Sequence, residues 1–287
     1  MTRCARLTSS DANSALLGAA EQSGSNVNFH PDWLVPQWPA PTHVHALCTT
    51  RKGGQSVAPY DAFNLGDHVG DDPAAVRANR LKLAQALGAR PVFLSQVHGV
   101  RVEQVSVDTA HGTSADACIT AQSGVACTIM VADCLPVLLT NAQGSLVAAA
   151  HAGWRGLAGQ GGRGIMEQVI ESFTALAPVN NTQDATKIIA WLGPCIGPQA
   201  FEVGDEVRHA FGAQDGASRL MFRPQGDGKW LADLQGLARL RLRALGVTEI
   251  YGNDGTSPWC TVSQTSRFFS HRRDRVSGRM AAGIWLD

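Results

Sequence analysis

The chain has 287 residues, of which 44% are hydrophobic and 17% charged, enough to bury a substantial core as one large domain or two smaller ones. Lys+Arg and Asp+Glu both number 24, so no global field favours nucleic acid or an anionic membrane as a partner. No uncharged apolar run is long enough to span a bilayer, and Met1 to His30 lacks the basic start and apolar centre of a secretory signal, so the expected location is the cytoplasm.

In chain order, residues 1–32 are polar, small and weakly patterned. They read as a flexible extension with a short helix around Ala15 to Gln22. Ordered structure is expected from Trp33, and residues 33–287 are expected to form one domain. VHALCTT reads as a strand and AAVRANRLKLAQALG as a helix, with Asp72 as its N-cap and Pro73 in its first turn. PVFLSQVH, ACTIMVAD, VLLTN and SLVAAAH follow as strands, GIMEQVIESFTALA as a helix and KIIAWLGP as a strand. After them come a helix over Asp205 to Phe211, an amphipathic helix in LADLQGLARLRLRALG, and strands at VTEIYG, RFFSHR and AAGIWL. This interleaving predicts a layered α/β sandwich with a mixed sheet and flanking helices.

Three potential metal ligands each close an apolar run: His98 in VFLSQVHGV, Cys134 in CTIMVADCLPVLL and His151 in SLVAAAHAGWRG. Taken singly, each is an ordinary hydrogen-bonded histidine or buried thiol. Together, at one edge of a sheet, they would offer two imidazoles and a thiolate, leaving a tetrahedral ion one open position, as in catalytic zinc sites. The other six of the seven cysteines form no CxxC pair, and in a chain of this size no disulfide framework is expected. Cys195, in LGPCIGP, reads as a buried structural thiol.

GLAGQGGRG after the SLVAAAH strand matches neither a phosphate-binding loop nor a dinucleotide motif. Its glycines read as a turn that lets the next helix approach the sheet, while Arg155 and Arg163 keep an anion-binding reading open. The loop TTRKGGQSVAPYDAFNLGDHVGDDP carries Arg51, Asn64, Asp67, His68, Asp71 and Asp72 and can supply polar contacts to a small substrate. Asp133 and His68 are the candidate proton carriers, although Asp133 reaches the Cys134 side only if the strand ends or bulges there. In FFSHRRDRVSGRM, Arg272, Arg273 and Asp274 read as a structural charged turn, with His271 a pocket residue.

The blocks TTRKGGQS, NLGDHVGDDP, SQVHG, ADCLPVLL, AAAHAGWRG, AWLGPCIGPQAFEVG and FFSHRRDRVSGRMAAGIWL, in that order, closely resemble the YfiH family, also called DUF152 or the polyphenol oxidase (laccase domain) family. The resemblance runs from about Val35 to the C-terminus. It implies an α/β sandwich with a metal on His98, Cys134 and His151, which are then also the catalytic residues. It further implies that the metal is zinc, with copper the alternative. The implied activity is phosphorolysis of adenosine, inosine, guanosine and methylthioadenosine, together with deamination of adenosine. The implied partners are therefore purine nucleosides and inorganic phosphate, and Arg51, Arg80, Arg155 and His68 are the expected substrate and phosphate contacts. Monomer and dimer both stay open. Two other classes remain. One is a copper-dependent phenol oxidase, against which stand only nine histidines and no HxH pair beyond His43 and His45. The other is a metal-free Cys134–His151 amidase or hydrolase that edits cell-wall precursors.

Overall fold

The computed structural model describes residues 29–177, 187–212 and 216–287. Within them, two mixed sheets pack face to face and helices cover both outer faces, giving an α/β/β/α stack. The first sheet has the order β1–β13–β5–β2, built from β1 (Val44–Cys48), β13 (Met280–Leu286), β5 (Val125–Val131) and β2 (Arg90–Phe93). The second has the order β12–β8–β6–β7–β4–β3. Its strands are β12 (Glu249–Gly252), β8 (Ile188–Leu192), β6 (Leu135–Asn141), β7 (Val147–Ala152), β4 (Ala117–Thr120) and β3 (Val102–Gln104).

Every residue of β4, β5, β6, β7, β8 and β13 is buried. That is why these segments read as unbroken apolar runs rather than alternating ones: both of their faces are covered. Side chains still alternate between layers. Cys127 and Ile129 of β5 meet Leu138 and Ala149 between the sheets, whereas Ala126 and Met130 turn outward to Leu83 and Leu87 of helix α1 (Pro73–Leu87). On the other side Val137, Leu139, Ala148 and Ala150 pack on Ile165, Val169 and Phe173 of α3 (Ile165–Leu176). A smaller sheet of β10 (Phe222–Gly226), β11 (Lys229–Ala232) and β9 (Glu202–Gly204) sits with α4 (Asp205–Gly212) and α5 (Leu234–Ala244) beside that helical layer.

Local chemistry sets the helix ends. The Asp72 side chain accepts from the Ala74 N–H at 2.9 Å, Pro73 opens α1, and Gly88 closes it at φ 62°. Asp233 caps α5 through the Gly236 N–H at 2.6 Å, which puts the start of this helix three residues beyond the Leu231 expected from its periodicity. The glycine-rich run after β7 is a turn between α2 (Trp154–Ala158) and α3; a methyl on Gly164 would collide with the Leu157 carbonyl.

Three expectations need correction. RFFSHR is no strand: Phe268 and Phe269 both point into the core beside Val131 and Met280, and the chain then forms a short helix α6 (His271–Asp274) capped by the Ser270 side chain. β2 ends at Phe93, so the SQVH part of the expected strand is loop. The strands β3, β4 and β9 to β11 had no counterpart in the sequence reading. The expected helix over Ala15 to Gln22 lies outside the described residues, as does most of the expected extension, while Phe29 already packs against the outer face of the first sheet.

Candidate metal and substrate site

His98, Cys134 and His151 converge at the edge shared by the two sheets, and their ligand atoms all lie within 4.8 Å of one another. Each arrives differently. His151 stands in β7, opposite Pro136 of β6. Cys134 lies in the turn between β5 and β6, where Asp133 takes φ 90° and swings the next side chain toward the site. His98 sits on the loop after β2 with φ 60°, in the left-handed region that residues other than glycine seldom occupy.

That loop is fastened at two points. The Gln96 side-chain amide donates to the Met130 carbonyl at 2.8 Å and accepts from the Met130 N–H at 2.7 Å, copying a strand pairing. The Asp116 carboxylate accepts the backbone N–H groups of Val97, His98 and Gly99 at 3.2, 2.8 and 2.7 Å. Asp116 is fully buried, and its Oδ1 also lies 2.9 Å from His151 Nδ1. Burial alone would raise the pKa of Asp116, but the His151 contact and these N–H groups hold it below the ordinary value. The sequence reading missed Asp116; the signal available was a lone carboxylate in SADACIT, just before a fully buried strand and without a helix to cap.

The spacing of His98 and Cys134 fits a tetrahedral ion. With bonds of about 2.3 Å to sulfur and about 2.0 Å to nitrogen, two ligands of a zinc ion stand roughly 3.6 Å apart, and Cys134 Sγ lies 3.7 Å from His98 Nε2. The two imidazole rings meet edge to face at 4.7 Å, and the Asp116–His151 contact is the carboxylate–imidazole pairing that supports metal-bound histidine. Without an ion, burial would raise the Cys134 pKa, but His151 and His98 draw it down to about 6. Burial acts against the His151 cation, yet the facing thiolate and Asp116 lift it to about 9. Between those values the metal-free pair is thiolate and imidazolium.

Gly153 closes the floor. At φ −65° it has no conformational need to be glycine, but a Cβ there would stand 2.8 Å from His98 Cδ2 and 3.0 Å from Cys134 Sγ. Gly153→Ala is therefore expected to weaken zinc binding roughly tenfold with little change in thermal stability of the metal-free protein, read by chelator competition and calorimetry. Unchanged affinity would mean that the ligands have room to move.

The cluster opens into a cavity of about 840 Å³, well within the range of small-molecule sites. Of the residues expected to meet substrate, His68, Arg80 and Arg155 line it. Burial and the nearby Arg279 lower the pKa of His68 against the pull of Asp67, so its imidazole is neutral near pH 7. Every nitrogen of the Arg80 guanidinium has a partner: Nε donates to the Leu65 carbonyl at 2.8 Å, and the others meet Asp67 at 3.1 Å and Met130 Sδ at 3.8 Å. Arg155 lies over the Trp154 ring and has no hydrogen bond or ion pair from its guanidinium among the described residues.

Arg51 does not line the cavity. Its guanidinium ties the loop at Asp61 to Thr265, donating to their carbonyls at 2.9 and 3.0 Å. Arg163 pairs with Glu171 on the surface, away from the cavity. The turn at Asp133 does end the strand and brings Asp133 to the cavity wall, where its carboxylate accepts from the Thr261 hydroxyl and the Arg272 N–H, both at 2.6 Å, and so buttresses α6. His271 lines the cavity as expected, and so do Arg272, Arg275 and Arg279, of which the first was read as structural.

The model of the family described as multi-copper polyphenol oxidoreductase laccase matches residues 45–287. The chain belongs to this family. It is 49% identical over 255 residues to a purine nucleoside phosphorylase of Pseudomonas aeruginosa, covering 88% of this chain and 98% of the relative. It is 47% identical, with the same coverage, to the Escherichia coli purine nucleoside phosphorylase YfiH. The crystal structure of a Neisseria meningitidis DUF152 protein superposes with a TM-score of 0.79 at 43% identity, covering 89% of this chain and 99% of that one. The YfiH-type sandwich is thus this chain's fold. The family's descriptive name speaks of several coppers; the described residues hold one group of three clustered metal ligands. No helix among them is long and apolar enough to cross a membrane.

Proposed function

We propose that this YfiH-family chain is a zinc-dependent purine nucleoside phosphorylase that also deaminates adenosine, with adenosine, inosine, guanosine and methylthioadenosine as its nucleosides. The observation that carries the reading is 47–49% identity, over 88% of the chain, to purine nucleoside phosphorylases in a chain whose three ligands open onto a cavity lined by five arginines. His98, Cys134 and His151 would hold the ion, which supplies Lewis acidity when bound. In phosphorolysis a phosphate oxygen bonds to ribose C1′ as the bond from C1′ to the purine nitrogen breaks, and the purine takes up a proton. Arg155 and Arg275 seat the phosphate, and Phe93, Met130, Ile196 and Phe201 give the purine apolar contact. In deamination water adds at C6 and ammonia leaves; neutral His68 suits the acceptance of the water proton. The six described cysteines are free thiols, which supports the cytoplasmic placement.

One observation favours a second reading. Cys134, His151 and Asp116 are arranged as nucleophile, base and orienting carboxylate, and the metal-free pair is ionised near neutral pH. That arrangement suits an amidase acting on cell-wall precursors.

The test is product analysis after incubating metal-quantified protein with adenosine. Adenine and ribose 1-phosphate are expected only with phosphate present, and inosine in both conditions. Stripping the ion with a chelator should abolish all products, and zinc should restore them. Turnover that survives metal removal transfers the function to the cysteine dyad, and no product at full zinc occupancy ends the nucleoside reading.

A further inference from the structure

We infer that Asp116 is the positioning residue that makes His98 and His151 one metal-binding unit: a single buried carboxylate fixes the loop carrying the first imidazole and the tautomer of the second. The inference rests on the metal-dependent reading above.

The hydrogen-bond inventory carries it. Oδ1 accepts the His98 N–H at 2.8 Å and meets His151 Nδ1 at 2.9 Å, while Oδ2 accepts the N–H groups of Gly99 at 2.7 Å and Val97 at 3.2 Å. Four donors thus converge on a side chain with no solvent exposure. The Asp116 backbone adds a second tie to the His151 strand, since its carbonyl accepts the His151 N–H at 2.7 Å. A carboxylate has no proton to offer, so the imidazole proton of His151 must sit on Nδ1, which leaves the Nε2 lone pair for the ion. Three successive N–H groups aimed at one carboxylate also hold the left-handed backbone of His98, a conformation that persists only when its surroundings over-determine it.

The isosteric amide cannot serve all four donors. In Asp116→Asn, an oxygen turned toward His98 and His151 leaves the NH2 group facing the N–H groups of Val97 and Gly99, donor against donor. Turned the other way, the NH2 group faces the His98 N–H and donates to His151 Nδ1, which moves the imidazole proton to Nε2 and blocks the ligand atom. Either orientation disables one of the two histidines.

The experiment compares wild type with Asp116→Asn. Zinc affinity is measured by competition with a chromophoric chelator, and the visible absorption of cobalt(II)-loaded protein reports ligand geometry. The variant is expected to bind zinc about 10–100-fold more weakly and to lose the intense absorption of a tetrahedral thiolate site. Equal affinity with an unchanged cobalt spectrum overturns the inference while leaving the metal reading intact; a wild-type protein that binds neither ion overturns both. A measurement independent of any substitution is made on wild type loaded with cadmium-113 and labelled with nitrogen-15 histidine. Metal coupling at Nε2 of His151 with a proton on Nδ1 is expected, and coupling at Nδ1 refutes the assignment even if the variant fails to fold.

Discussion

Cys134→Ala is expected to lose its metal and roughly 1,000-fold or more in turnover while keeping its fold. Removal of the thiolate leaves two imidazoles, one fewer ligand than a catalytic zinc site uses, and a factor of 1,000 corresponds to about 4 kcal/mol of lost transition-state stabilisation. The fold should tolerate the change because Cys134 sits in the turn between β5 and β6, half-buried, and its sulfur meets the other ligands rather than the core. A shift of no more than about 2–4 °C in the Tm of the metal-free protein is the corresponding expectation. Metal content by mass spectrometry, circular dichroism and steady-state rates check the three parts, and an active alanine variant would refute the site. Because the alanine variant also disables a nucleophile, Cys134→Asp separates the chemistries. A carboxylate is a competent zinc ligand but cannot replace a thiolate that attacks substrate. Retained metal with measurable turnover in the aspartate variant supports the metal centre; retained metal with no turnover favours the dyad.

The parts of this molecule written locally could be read from the chain. Helix α1 announces itself through Asp72 and Pro73, which occupy the expected capping positions, and the run ends where Gly88 closes the helix. The apolar runs of β5, β6, β7 and β8 emerge as strands because a segment covered on both faces has few polar residues to break it. The ligands stood out through their place after such runs, yet only His151 belongs to a strand; His98 and Cys134 are delivered by turns whose geometry depends on Asp116, Met130 and Thr261, remote in sequence. RFFSHR has the aromatic content of a strand, but the neighbouring sheet has no place for it, since β13 already pairs with β1 and β5 on its two sides. The arginines were the least legible. Composition places a guanidinium near a site, but whether its nitrogens are free depends on carbonyls brought up by the fold, as Leu65 does for Arg80.

That distinction sets the second large effect. Arg80, one of the three arginines expected from the sequence to meet phosphate, is stacked 4.2 Å from the Phe93 ring centroid with all its nitrogens engaged. Arg155 and Arg275 line the same cavity with no hydrogen bond or ion pair from either guanidinium among the described residues. Arg275 is held in a three-residue turn at φ 61° and ψ −58°, closed by the Val276 N–H on the Asp274 carbonyl at 2.7 Å. Such a turn is strained for a side-chain-bearing residue, and strain of this kind gathers where a side chain must be aimed. Hydrogen bonds to a charged group contribute about 1.5–3 kcal/mol each. Replacing both arginines by alanine should therefore lower kcat/KM for phosphorolysis at least about 100-fold, largely through the KM for phosphate. Deamination, which uses no phosphate, should fall less than about threefold. Arg80→Ala should instead depress both reactions together and lower the Tm, because it releases Asp67, Leu65 and the Phe93 stack. Equal losses of both reactions in the Arg155/Arg275 double variant would move the phosphate elsewhere in the cavity, with Arg272 and Arg279 the remaining cations on its wall besides Arg80.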